Sequence, residues 1–187
     1  MSFITQVTIS IVIYFILRIG LRGKNSLNLS SGVAALSYIA IYLYTYNFIN
    51  ALPTIHFMVT GLSLLFIFIS YNEIIILERK VRKLKKGEFI TSEPFSVEKS
   101  YKIVFKLLGL GLIFLSLALI SGFGMQSVFT ANIIFKSIFT IIAWMIYVIT
   151  LIGIKFFNFP IKYATRSLFL AMWAVLIAYF MNSYIVG

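Results

Sequence analysis

Residues 55–77 read IHFMVTGLSLLFIFISYNEIIIL, a run in which Glu73 is the single charged side chain. About 20 consecutive apolar residues form a helix long enough to cross the hydrocarbon core of a bilayer. The next residues, ERKVRKLKK at 78–86, are mostly basic, as is typical where a spanning helix leaves the membrane on the cytoplasmic side. The sequence therefore predicts a transmembrane helix over 55–77 whose second end faces the cytoplasm.

Apolar runs of similar length recur along the whole chain. The six predicted spans cover residues 3–21, 32–51, 55–77, 101–121, 132–155 and 164–185. The period-two alternation of membrane β-strands is absent from them. The composition agrees, because 61% of the residues are hydrophobic and 11% are charged, against about 25% charged in ordinary globular proteins. We predict an all-α, polytopic membrane helix bundle of six helices, with residues 1–187 forming a single transmembrane domain.

We interpret the net charge of +11 first as a signal of how the chain is oriented in the membrane. Fifteen of the 16 Lys and Arg residues lie in or beside the first, third and fifth connections between the predicted spans. Cytoplasmic connections carry an excess of basic residues, so these three are assigned to the cytoplasm and both termini to the outside. The first span precedes its basic residues, so it is not a cleavable signal peptide and is expected to stay in the mature protein. The cytoplasmic basic loop at 78–100 is expected to contact anionic membrane lipid, not nucleic acid.

Missing residue types exclude several classes of chemistry. The chain has no Cys, no Asp and a single histidine, His56. Thiol–disulfide exchange and Fe–S ligation are excluded, and so are a His/carboxylate metal cluster and a Ser-His-Asp triad. We therefore expect no enzyme, and any chemistry here is expected to come from a bound cofactor.

Two polar residues are predicted at the outer ends of helices. His56 follows Pro53 and Thr54, which indicate a helix start, and Lys136 lies about one turn into the fifth span. A helix N-terminus attracts anions, so a lysine there strengthens an anion site. Haem fits such a site, because an imidazole is available to its iron and a cation to its propionates. Alternatively, Lys136 extends to lipid headgroups and His56 only forms a hydrogen bond.

Other polar or small residues within the spans have packing interpretations. Tyr38, Tyr42 and Tyr46 share one helix face, and their hydroxyls either line a ring-shaped ligand or bond to a neighbouring helix. Glu73 is expected to extend toward Arg79 or Lys80 and not to relay protons.

Several short motifs follow one another in a definite order over residues 50–187. They are Leu52-Pro53-Thr54-Ile55-His56, the basic connection, Glu98-Lys99, Gly109, Ser121-Gly122, Lys136, Trp144, Tyr147 and Ala178-Tyr179-Phe180. In this order they resemble the cytochrome c assembly protein family, the CcsA-, CcmC- and HemX-like membrane haem handlers, and especially its short YpjD-type inner-membrane members. The resemblance implies a multi-pass protein of the bacterial inner (plasma) membrane that functions in cytochrome c-type biogenesis.

The same resemblance implies where haem is bound and what receives it. Haem would be held at the outer face, between the third and fifth helices, and presented to apocytochrome c or to other cytochrome c maturation proteins. His56 matches the outward histidine that is an axial ligand of the iron, so it is the implied metal ligand. Lys136 matches the lysine that closes a tryptophan-rich segment, and Trp144 and Tyr147 match aromatic positions of the helix that follows.

The chain also departs from that pattern. Residues 122–135 contain no tryptophan, and no second histidine exists. A second axial ligand would come from Met125, whose thioether is acceptable to haem iron, or from water or a partner. The alternative is a haem-free membrane assembly or regulatory subunit that retains the fold. A small transporter is a weaker interpretation, because the sequence shows no internal repeats and no helices broken at mid-membrane.

Overall fold

The chain forms an all-helical bundle. The computed structural model describes residues 3–21, 26–45, 51–87, 97–125, 131–157 and 160–185. The six helices are α1 (Phe3–Gly20), α2 (Ser26–Thr45), α3 (Ala51–Lys85), α4 (Val97–Gly124), α5 (Ala131–Phe156) and α6 (Ile161–Ile185). The predicted fold class is confirmed in this respect. Arg22, Lys24, Tyr46 and the outer-loop residues 126–130 lie outside the described residues.

Five of the helices, α1 to α5, are long and apolar enough to cross a membrane. This is consistent with a multi-pass membrane protein whose outer helix surfaces contact lipid. Large apolar side chains accordingly point outward on all sides, as at Ile19, Leu36 and Ile120, which are 78%, 67% and 69% exposed. That α6 is a sixth span, and that both termini lie outside, stay predictions.

Contacts between helices show that consecutive helices run in opposite directions. At one end of the bundle, Phe3 of α1 lies against Phe57 of α3, and Tyr42 of α2 bonds to the Thr54 carbonyl. At the other end, Thr165 of α6 donates to Glu78 of α3. His56 near the start of α3 contacts Ser121 near the end of α4 and shares a cavity with Lys136 of α5, so the start of α3, the end of α4 and the start of α5 lie at one end of the bundle. The basic residues of α3 after Glu78 lie at the opposite end.

Helices α2 and α3 begin before their predicted spans, each for a physical reason. Helix α2 begins at Ser26, before the apolar run that starts at residue 32. The hydroxyls of Ser30 and Ser31 donate to the Leu27 carbonyl, so these polar side chains find their hydrogen-bond acceptor within the helix and do not interrupt it. Helix α3 begins at Ala51 because Pro53 lies in the first turn, where a missing N–H costs nothing.

Helix α3 continues far beyond its apolar run. It has 35 residues, or roughly 52 Å at about 1.5 Å per residue, which exceeds the roughly 30 Å hydrocarbon core. The first part of the basic loop predicted at 78–100 is thus helical as far as Lys85. Gly87, with a φ of 75°, follows this end, as is common for a glycine after a helix.

The prediction for Glu73 is wrong. Its carboxylate is buried and accepts hydrogen bonds from the Tyr14 hydroxyl at 2.5 Å and from Arg18 Nε at 2.7 Å, so the partners come from α1 and not from Arg79 or Lys80. Arg18 also donates to Ser26 of α2. A buried carboxylate needs a counter-charge and hydrogen bonds, and α1 supplies both. This network joins α1, α2 and α3.

Tyr38 and Tyr42 of α2 serve helix packing. The Tyr38 hydroxyl donates to the Phe57 carbonyl at 3.2 Å, and the Tyr42 hydroxyl donates to the Thr54 carbonyl at 3.0 Å. Both rings are fully buried and stacked on each other. Gly61 of α3 admits the Tyr38 ring, since a Cβ there would lie 1.9 Å from its hydroxyl oxygen. For these two residues the hydrogen-bonding interpretation is confirmed.

Candidate functional site

A cavity of about 520 Å³ lies at the end of the bundle where α3 and α5 begin and α4 ends. Its volume is within the range of small-molecule and cofactor sites, roughly 300–1,000 Å³. Its walls are mostly apolar and include the side chains of Phe57, Phe123 and Val175 of α6. The few polar groups that line it include His56, Lys136 and Thr140. This combination is typical of a site for an amphiphilic molecule.

The half-buried His56 ring is held by the end of α4. Its Nδ1 lies 2.9 Å from Ser121 Oγ. Ser121 Oγ also lies 2.8 Å from the Leu117 carbonyl oxygen, to which its hydroxyl can donate, and in that arrangement the oxygen accepts from the ring N–H. In the tautomer with the proton on Nδ1, the lone pair is on Nε2, the nitrogen with which a histidine then binds a metal.

Gly122 provides the surface against which the imidazole packs. A Cβ at this position would lie 3.1 Å from His56 Cε1, closer than an ordinary contact. Gly109, earlier in the same helix, has nothing within 4 Å of the equivalent point. A methyl group at position 122 would therefore displace the imidazole ring by a few tenths of an ångström.

Lys136 and Met125 approach the same cavity from two other helix ends. Lys136 lies in the second turn of α5 and lines the same cavity as His56. Among the described side chains it is the only charged one at this end of the bundle. Met125 directly follows α4 and is 36% exposed. The structure thus brings together three of the residues predicted from sequence, His56, Lys136 and Met125.

Trp144 and Tyr147 do not line this cavity. Trp144 lies deeper along α5, where its indole N–H donates to Ser116 of α4 at 2.8 Å. Tyr147 is fully buried in the core, with its hydroxyl beside Gly111, and in the described part of the chain this hydroxyl has no hydrogen-bond partner. Both residues pack α5 against α4 below the cavity, so their contribution to a ligand there would be indirect.

Sequence reasoning misses the polar partner of His56. Ser121-Gly122 is present only as a motif of the resemblance, without a role. A signal does exist, because both residues end the helix that runs antiparallel to α3. Which polar residue near the end of α4 meets His56 depends on helix rotation, which hydropathy does not define.

Comparison with known proteins adds no relative. No family model matches the chain. No curated protein and no solved structure matches it either.

Proposed function

We propose that this chain is a haem-handling protein of the bacterial inner membrane that acts in cytochrome c assembly, holding haem in the cavity between α3 and α5. In this proposal the cavity end of the bundle faces outward and the basic end faces the cytoplasm, in keeping with the distribution of Lys and Arg. The observation that carries the proposal is the convergence of His56, Met125 and Lys136 on one cavity of about 520 Å³.

The residues present fit haem by their chemistry. An imidazole with an available Nε2 is the commonest protein ligand of haem iron, and a thioether is a known second ligand. The Lys136 ammonium suits a propionate carboxylate, and apolar walls suit the porphyrin faces. The cavity thus combines one metal donor and one cation within a largely apolar space, as an anionic metalloporphyrin requires.

Each group of this chain has a definite task in the proposal. His56 binds the iron through Nε2, and Lys136 orients the ring by pairing with a carboxylate. Phe57 and Phe123 exclude water from the apolar faces. Bound haem supplies the iron and porphyrin chemistry, and its covalent attachment needs cysteines from the receiving apocytochrome, since this chain has none.

The second candidate function is the haem-free assembly or regulatory subunit. It is favoured by the single histidine and by the lack of tryptophan in residues 122–135. The two candidates differ in one measurable property, which is haem affinity.

The test is a haem titration of the full chain in mild detergent, followed by the Soret band. We expect saturable binding to the wild-type protein and a loss of affinity of more than about tenfold in His56→Ala, because the iron loses its protein ligand. Ser167→Ala is a matched control, because the Ser167 hydroxyl bonds to the Tyr163 and Ala164 carbonyls of α6 near the other end of the bundle.

Two results would contradict the proposal. The first is a wild-type protein that shows no saturable Soret change, which would favour the haem-free subunit. The second is equal affinity in the wild-type protein and His56→Ala, which would remove the axial-ligand role.

A further inference from the structure

We propose that Ser121 is a positioning residue for His56: it holds the imidazole proton on Nδ1, so that Nε2 keeps a lone pair for the ligand in the cavity. The inference rests on the proposed function for the identity of that ligand. It makes a separate claim about the protein without ligand, because the hydrogen bond between His56 and Ser121 is formed by this chain alone.

The proposed direction of the hydrogen bond rests on the other contacts of Ser121. A hydroxyl has one proton to donate, and Ser121 Oγ lies 2.8 Å from the Leu117 carbonyl oxygen and 3.2 Å from that of Ala118, both of which can only accept. In the proposed arrangement the proton points to these carbonyls. The oxygen facing His56 Nδ1 at 2.9 Å therefore acts as the acceptor. A neutral imidazole that donates from Nδ1 has no proton on Nε2.

The ring is also held in place sterically. Gly122 lets the imidazole lie against the backbone of α4, with the position of an added Cβ only 3.1 Å from Cε1 and 3.6 Å from Nδ1. On its other side the His56 ring meets Phe57 edge-on, at 5.5 Å between ring centroids. In the proposed arrangement both the orientation and the tautomer of the imidazole are fixed, as is common for metal-binding histidines.

The chain offers a direct test because it has one histidine. Nitrogen NMR of protein labelled with ¹⁵N-histidine, in detergent, without haem and at a pH where the imidazole is neutral, reports the tautomer of His56 with no assignment problem. We expect the Nδ1–H form to predominate in the wild-type protein. In Ser121→Ala we expect a clear shift of population toward Nε2–H. Ser121→Thr, which keeps the hydroxyl, should restore the wild-type spectrum, and Ser167→Ala should not change it.

Three results would overturn the inference. One is a wild-type imidazole that carries its proton on Nε2. Another is a wild-type spectrum in Ser121→Ala, since the tautomer would then not depend on the Ser121 hydroxyl. The last is a Ser121→Thr variant that behaves like Ser121→Ala. Alanine is a good helix former, and unchanged circular dichroism would show that Ser121→Ala keeps its fold.

A haem titration of the same variants separates this inference from the proposed function. Loss of a hydrogen bond to a metal-binding histidine typically lowers metal affinity about 10- to 100-fold, so Ser121→Ala should bind haem at least about tenfold more weakly. If no variant binds haem, the proposed function fails while the tautomer result still decides the role of Ser121. If haem binds and Ser121→Ala has wild-type affinity, the positioning role fails and the proposed function stands.

Discussion

The ion pair between Glu73 and Arg18 allows a test of how α1 packs on the bundle. Glu73→Ala removes the acceptor of both Arg18 and Tyr14 and leaves a guanidinium without its counter-charge. Breaking a buried ion pair in this way costs about 3–5 kcal/mol, and we expect about 3 because the Arg18 side chain is 26% exposed. The assay is unfolding of detergent-solubilised protein with increasing SDS, followed by circular dichroism.

A double-mutant cycle identifies the partner. With Arg18→Ala as the second change, the double variant should lose less free energy of unfolding than the sum of the two single losses, by at least about 1 kcal/mol, because both changes remove the same contact. With Arg79→Ala as the second change, the losses should add within about 0.5 kcal/mol. The reverse pattern, with coupling to Arg79 and none to Arg18, would refute the packing of α1 against α3 and restore the partner inferred from sequence.

Glycine substitutions give two further predictions. Gly61→Ala should lower the free energy of unfolding by about 1–3 kcal/mol, because its Cβ would overlap the Tyr38 hydroxyl. Gly109→Ala is the control and should not destabilise the protein. Equal stability of the two variants in the SDS assay would contradict the contact between Gly61 and Tyr38. Gly122→Ala should fold normally yet bind haem about tenfold more weakly by Soret titration, because the His56 ring must shift, and wild-type affinity would show that the ring tolerates the methyl group.

Hydropathy predicted the number and approximate position of the helices because, in lipid, each helix must form its own backbone hydrogen bonds. It predicted helix boundaries less well where polar side chains form hydrogen bonds to the backbone of their own helix. Ser30 and Ser31 lower the apparent hydropathy of α2 without ending it, and the basic residues after Glu78 continue α3 as a helix in place of a loop. Composition alone does not separate these cases from true loops.

The candidate site was predictable in part. His56 and Lys136 could be assigned to one end of the bundle because helix direction follows from the order of spans, and the structure places both on one cavity. Side-chain partners between helices were not predictable, since they depend on helix rotation. The same reasoning that located His56 missed its bond to Ser121, and it paired Glu73 with the nearest cations in sequence when Arg18 is the nearest in space.

The most direct test of the central claim compares haem with iron-free protoporphyrin as ligands of the full chain. His56→Ala should weaken haem binding by more than about tenfold and leave protoporphyrin binding unchanged, because only the iron needs the imidazole. Lys136→Gln should weaken both ligands, because both carry the same carboxylates. Equal losses of haem and protoporphyrin in His56→Ala, or unchanged affinity for both ligands in the two variants, would contradict a haem site built on His56 and Lys136.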